Sequence, residues 1–324
     1  MKTTAFILML AVLAGCSSSD ENPNTNPENR DFKQDMRNFV IGISQKAKAA
    51  NPDFAVVPQN GIELVSSTGE EGGSPDLDYL AAIDGNGQED LLYGYDNDDH
   101  ATPADATSYL KSFLNISKNA GKAILVTDYC STPAKMTDSY AKNAASGYVS
   151  YAAPDRALTV IPSGPPHNVN SNNIITLAQA KNFIFFINPE NYSSKEAFIQ
   201  AVNATNYDAV IMDLFLENNP FTAAEIAQLK HKANGGERLI ICYMSIGEAE
   251  DYRYYWNASW NTTSPEWMAA ENPDWPGNYK VKYWNAEWQG LIYNNNDSYL
   301  NKIIDAGFDG VYLDIIDAFE YFEG

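Results

Sequence analysis

Short apolar runs recur along the chain, and polar or helix-patterned stretches separate them. The runs cover 54–58, 79–84 with 91–94, 123–129, 183–188, 209–215, 239–244, 280–284 and 311–316. Their Val, Ile, Phe and Tyr content and their shortness predict strands buried on both faces, as in a parallel sheet. Between them, 31–50 places Phe32, Met36, Phe39, Val40 and Ile43 on one helical stripe, and 194–204, 222–233 and 286–306 repeat that pattern. Thr222 and Glu225 have the spacing of a capping box. Eight strand units alternating with helices predict an α/β fold, a (β/α)8 TIM barrel, with a doubly wound open sheet as the alternative. A further run, 148–153 with 157–161, exceeds the count of eight and is read as peripheral. The stretch 256–275 shows no helix or strand pattern and is read as a long loop at the rim.

Charge narrows the partners. Forty-two acidic residues face 21 basic ones, a formal charge of -21. A nucleic-acid binder needs a basic stripe, so that class is excluded, and neutral or cationic partners are favoured. His100, His167 and His231 stand far apart and outside any zinc-binding spacing, so no metal is expected. No GxGxxG or GxxxxGK[ST] follows a strand, so no nucleotide cofactor is implied. The first residues, MKTTAFILMLAVLAGC, combine a basic start with an apolar run too short to span a bilayer. The ending Leu-Ala-Gly-Cys resembles a bacterial lipobox, which makes 1–15 a lipoprotein signal peptide, Cys16 the lipidated residue and 16–30 a polar tether. A single domain then fills 31–324, held at the cell envelope by its lipid alone. Cys130 and Cys242 lie in or beside strand-like runs, which favours buried free thiols, with a bridge between them as the alternative.

Candidate chemistry sits at the strand ends, where a barrel gathers its functional residues. Asp213, Glu248, Asp314, Asp317, Glu89 and Asp128 all fall there, beside Asn60, Tyr93, Tyr129 and Tyr283. An acid inside an apolar run is costly to bury unless paired. Each is therefore a structural ion pair or a functional group. Several converging at one rim match glycoside hydrolysis, which needs one carboxylic acid and one carboxylate. Aromatic residues crowd 252–288, where they either stack on sugar rings or pack a loop over the barrel.

The segments YDAVIMDLF, LIICYMSIGEAEDYRYYW, ENPDWPGNYKVKYWNAEWQ, GFDGVYLDIIDAFEYF, NPDFAVVPQNGIEL, IDGNGQEDLLYGYD, GKAILVTDY and YVSYAAPDRAL together resemble glycoside hydrolase family 114, the endo-α-1,4-polygalactosaminidase-like proteins. Some of that subgroup carry a label relating them to cysteinyl-tRNA synthetase, but no HIGH- or KMSKS-like signature is present. The resemblance implies a (β/α)8 barrel whose order here is circularly permuted. The family's order begins at the FIFFINPEN-like segment and reaches the PQNG segment after EYF, whereas this chain starts with PQNG. The strand at 311–316 should then pair with that at 54–58. By the same resemblance Asp314 is the nucleophile and Glu89 the general acid/base of a retaining mechanism, with Glu248, Glu250 and Asp213 as substitutes for Glu89. Asp213, Glu248, Asp317, Asn60, Tyr93, Asp128, Tyr129 and Tyr283 are implied substrate-binding residues. The implied partner is a polysaccharide, in particular a cationic amino-sugar polymer. The alternatives are a non-catalytic glycan-binding lipoprotein on the same barrel and a hydrolase of another α-linked polysaccharide.

Overall fold

Asp31 starts the first helix. Its carboxylate accepts the Gln34 amide at 2.8 Å, and the apolar stripe turns inward as helix α1 (Phe32–Ala50). The computed structural model describes residues 30–189 and 191–324, so the lipobox, Cys16 and most of the tether lie outside the described residues. The strands that follow are β1 (Ala55–Pro58), β2 (Gly85–Glu89), β3 (Ala123–Tyr129), β4 (Val149–Ala153), β5 (Phe183–Phe185), β6 (Ala209–Met212), β7 (Leu239–Ser245) and β8 (Gly310–Asp314). Between them come α2 (Leu77–Ala82), α3 (Ala104–Asn119), α4 (Pro133–Ser146), α5 (Lys195–Asn203) and α6 (Ala223–Leu229), with a broken helical segment before β8. Thr222 and Glu225 form the capping box at the start of α6.

The eight strands form two parallel ladders, β1–β8–β7–β6–β5 and β2–β3–β4. At one seam a parallel bridge joins Gln59 to Gly87, and the Asp84 amide donates to the Val56 carbonyl at 2.9 Å. At the other, β4 and β5 lie side by side, with Tyr151 and Phe183 in ring contact at 6.0 Å. No ladder pairs these two among the described residues. The two parallel ladders make an α/β fold, and most of its core is one large apolar cluster, with Tyr93, Cys130 and Ala152 in a small second one. The strand at the chain's end pairs with the strand near its start, Ala55 with Gly310 through Pro58 with Leu313. No helix among the described residues is long and apolar enough to cross a membrane.

Five sequence expectations need correction. The run 79–84 is not a strand: Asp76 caps α2 there, accepting the Tyr79 amide at 2.9 Å, and the strand is the polar segment Gly85–Glu89 that follows. The run 280–284 is not a barrel strand. Asn278–Val281 pairs antiparallel with Glu248–Glu250 and Met268–Glu271 in a small separate sheet. Its Lys-Val-Lys alternation fits a strand with one wet face, not one buried on both. The run 148–153 is not peripheral: as β4 it pairs with β3, and its small residues Ala152 and Ala153 are buried. The stretch 256–275, expected to lack strands, contains Met268–Glu271. The expected helix 286–306 is interrupted by a π-turn at Gly290–Asn294 and resumes at Tyr299–Asp305.

Candidate active site

Alternation along the strands selects which side chains share the interior. Neighbouring residues of a strand face opposite sides, and register partners on parallel strands face the same side. On β8, Tyr312 registers with Tyr243 of β7 and Asp314 with Ser245. On β2, Glu89 registers with Thr127 of β3. Interior contacts fix the sense: Tyr312 meets the Phe185 ring at 5.1 Å, and Tyr129 donates to Glu89 Oε1. Asp314, Glu89, Tyr129 and Tyr243 therefore reach the interior at or next to the C-terminal ends of their strands.

Asp314 ends β8. The next residue, Ile315, adopts a left-handed conformation (φ 58°), which turns the chain and brings its own amide onto Asp314 Oδ1 at 2.8 Å. The Tyr243 hydroxyl donates to Oδ2 at 2.6 Å. Burial pushes the Asp314 carboxyl up to about 7, the nearby negative charge of Glu89 adds to the rise, and the Tyr243 hydrogen bond opposes it.

Glu89 is held by the turn after β1. Asn60 and Gly61 both take positive φ there, and the Asn60 amide donates to the Gly87 carbonyl at 2.9 Å. Asn60 Nδ2 then donates to Glu89 Oε2 at 3.0 Å, while Asn60 Oδ1 accepts the Glu89 amide at 3.1 Å. Arg156 lies over the Tyr129 ring at 3.9 Å and pairs with Asp90 at 2.8 Å and Asp98 at 2.5 Å. Burial raises the Asp90 carboxyl to about 6 against the pull of Arg156.

Other rim carboxylates carry cations. Asp213 and Glu250 share Arg253, at 2.6 and 2.5 Å, and Arg253 also donates to the Tyr299 hydroxyl at 3.1 Å. Burial raises the Asp213 carboxyl, and Arg253 opposes the rise. Glu248 pairs with Lys280 at 2.6 Å and accepts from Asn272 at 2.8 Å. Asp317 is pushed up to about 6 by burial, with Lys280 pulling the other way. It lines an open cleft of about 780 Å³ together with Asn60, Gln88, Tyr95, Tyr109 and Glu320.

Three expected residues have other employment. Asp128 precedes Tyr129 and so faces the helices: it accepts from Ser139 at 2.6 Å, Asn143 at 2.9 Å and the amides of Leu92 and Tyr93 at 2.7 and 3.2 Å. The Tyr93 hydroxyl donates to Asp138 at 2.7 Å. Tyr283 is fully buried and donates to the Phe32 carbonyl at 2.9 Å, tying α1 in place. Most of the aromatic cluster packs on itself, with Trp256, Trp260, Trp267 and Trp288 in successive ring contacts at 5.3, 5.1 and 4.9 Å; Trp275 is exposed. Cys130 and Cys242 are free, buried thiols. Sequence reasoning missed Tyr243 and Arg253. A tyrosine two positions before a strand's end, and a lone base in the acidic GEAEDYR motif, were the available signals.

Comparison with known proteins finds similarity over part of the chain. Curated relatives include uncharacterized proteins of Methanocaldococcus jannaschii (41% identical over 155 residues, 47% of this chain and 42% of the relative), Thermotoga maritima (38% over 130 residues, 40% and 39%) and Deinococcus radiodurans (39% over 123 residues, 38% and 37%). The chain thus spans about two fifths of the length of each of these relatives. The model of glycoside-hydrolase family GH114 matches residues 175–324. The similarity to glycoside-hydrolase family GH114 thus covers the part of the chain that supplies Asp314 and the tyrosine bound to it.

Proposed function

We propose that the protein is a glycoside hydrolase whose reacting carboxyls are Asp314 and Glu89. One observation carries this reading. Asp213, Glu248 and Glu250 are neutralised by Arg253 or Lys280, whereas Asp314 and Glu89 form no ion pair among the described residues and are held by neutral donors. The negative charge of Glu89 adds to the rise of the Asp314 carboxyl, which supports reading the two as members of one site. In a retaining mechanism Asp314 attacks the anomeric carbon as the glycosidic C–O bond breaks and Glu89 protonates the leaving oxygen. Glu89 then takes a proton from the water that releases the sugar from Asp314. Azide separates the two roles. With an α-linked substrate, Asp314→Ala rescued by azide yields the β-azide, and Glu89→Ala yields the α-azide. Unimpaired turnover by both variants would discard the assignment, and tight glycan binding without turnover by the wild type would make the protein a binding lipoprotein.

The substrate we propose is an α-1,4-linked galactosamine-type polymer with free amines, cleaved internally. Supporting it are the net charge of -21 and the Glu63, Glu71, Asp105, Asp317 and Glu320 carboxylates around the cleft, which attract cations. Product sizes from defined oligosaccharides test both substrate and cleavage mode.

The same reading includes a closed, circularly permuted barrel and a lipid anchor on Cys16. Permutation is supported by a family match that spans β5 to β8 and leaves β1 to β4 outside it. It requires 51–158 to align with the part of full-length relatives that follows their matched stretch; an alignment ahead of that stretch would exclude it. For the anchor, Cys16→Ser should move the protein from the membrane to the soluble fraction.

A further inference from the structure

We infer that Tyr243 is a positioning residue for Asp314, fixing the orientation of the carboxyl that the proposed mechanism uses as nucleophile. The inference rests on that reading of Asp314, but its geometry stands apart from it. Tyr243 lies on the neighbouring strand one alternation below Asp314, in register with Tyr312. Its ring must rise along the interior to place the hydroxyl on Oδ2 at 2.6 Å. The other oxygen is held at 2.8 Å by the Ile315 amide, set by the left-handed turn. One donor on each oxygen fixes the carboxyl plane and leaves the remaining lone pairs for a reacting atom.

A tyrosine kept only for packing would satisfy its hydroxyl on any convenient acceptor, as Tyr283 does on the Phe32 carbonyl. Tyr243 instead spends its one proton on a carboxyl that has no cation. The charged groups bearing on the pair come from four elements. Glu89 and Asp317 act on Asp314, and Glu250 and Arg253 act on Tyr243. All four remain in a Tyr243→Phe variant, so the change isolates the hydroxyl.

The test titrates the full-length protein labelled with 13C at the aspartate carboxyls, with Asp314→Asn, Asp317→Asn and Asp90→Asn assigning the signals that move near neutrality. A hydrogen bond to the ionised form favours that form, so Tyr243→Phe should raise the Asp314 midpoint by about one unit. Site-specific 3-fluorotyrosine at position 243, a stronger donor of nearly the same size, should lower it. An unchanged midpoint in both, or a shift of both in one direction, overturns the inference. On galactosamine oligosaccharides the acid limb of kcat/KM should move with the midpoint, and kcat should fall more than KM changes. If the midpoints shift as stated while Asp314→Asn leaves turnover intact, the hydrogen bond stands and the proposed function fails.

Discussion

Gly87 and Tyr312 meet in the interior so closely that a Cβ on Gly87 would lie 2.0 Å from the Tyr312 hydroxyl oxygen and 2.4 Å from its Cζ. The tyrosine fills the space that a side chain on β2 would occupy, two residues before Glu89. Gly85 is similarly confined, with a Cβ there 2.7 Å from the Ala123 carbonyl oxygen. A strand without apolar side chains is thus held at the centre of the fold by the bulk of its neighbours.

Gly87→Ala should therefore destabilise the protein by about 1–3 kcal/mol, the usual cost of overpacking. Tyr312→Phe removes the oxygen but keeps the ring, so it should not rescue the variant. Tyr312→Leu should recover part of the loss. Urea denaturation of the single and double variants measures the coupling.

Asp128 and Tyr129 are adjacent and should behave oppositely. Asp128→Ala strips four hydrogen-bond donors of their acceptor and should cost about 3 kcal/mol or more. Turnover per folded molecule should be nearly preserved. Tyr129→Phe should cost only about 1 kcal/mol yet lower kcat at least about 10-fold by loosening Glu89. Thermal melts and single-point kinetics on both variants separate fold support from site geometry.

Asp314 should make stability fall with rising pH. Its folded-state value of about 7 lies above the unfolded value of about 3.9, so the native state binds the proton more tightly. The penalty is absent below about pH 4, grows as pH rises and is complete above about pH 7. Asp314→Asn should accordingly be more stable than wild type at pH 8, with the difference vanishing towards pH 4. Denaturation curves across that range provide the measurement. Equal stabilities at pH 8 would mean that the carboxyl carries no burial penalty.

Arg253 is the sole side-chain cation on two nearly buried carboxylates among the described residues. Arg253→Met should leave both uncompensated and cost about 3–5 kcal/mol. Adding Asp213→Asn and Glu250→Gln should return much of that loss. Chemical denaturation of the set checks both statements.

Most of the strand and helix order was legible because burial on two faces leaves a run of apolar residues, and helix caps act within four residues of chain. That local signal placed α1, β3, β6 and β7 and the capping box at Thr222. It failed at β2, whose glycines contribute no hydrophobic pattern because Tyr312, more than 200 positions away in sequence, supplies the packing. It also mistook the alternating strand at Asn278–Val281 for a barrel strand and set β4 aside.

The site divides in the same way. Sequence alone determined that acids sit at strand ends such as those of β6 and β8, since Asp213 and Asp314 fall in apolar runs that can be read directly, and the SIGEAEDYR and GVYLDIIDA motifs carry the family likeness; the role of Glu89 was reached through that likeness alone. Tertiary structure decided which acids keep their charge free. Whether a carboxylate meets Arg253, Lys280 or the Tyr243 hydroxyl depends on register between strands distant in the chain, and a one-residue step turns Asp128 away from the interior that Tyr129 enters. Charge neutralisation acts over a few ångströms in space, and spacing along a chain does not report it.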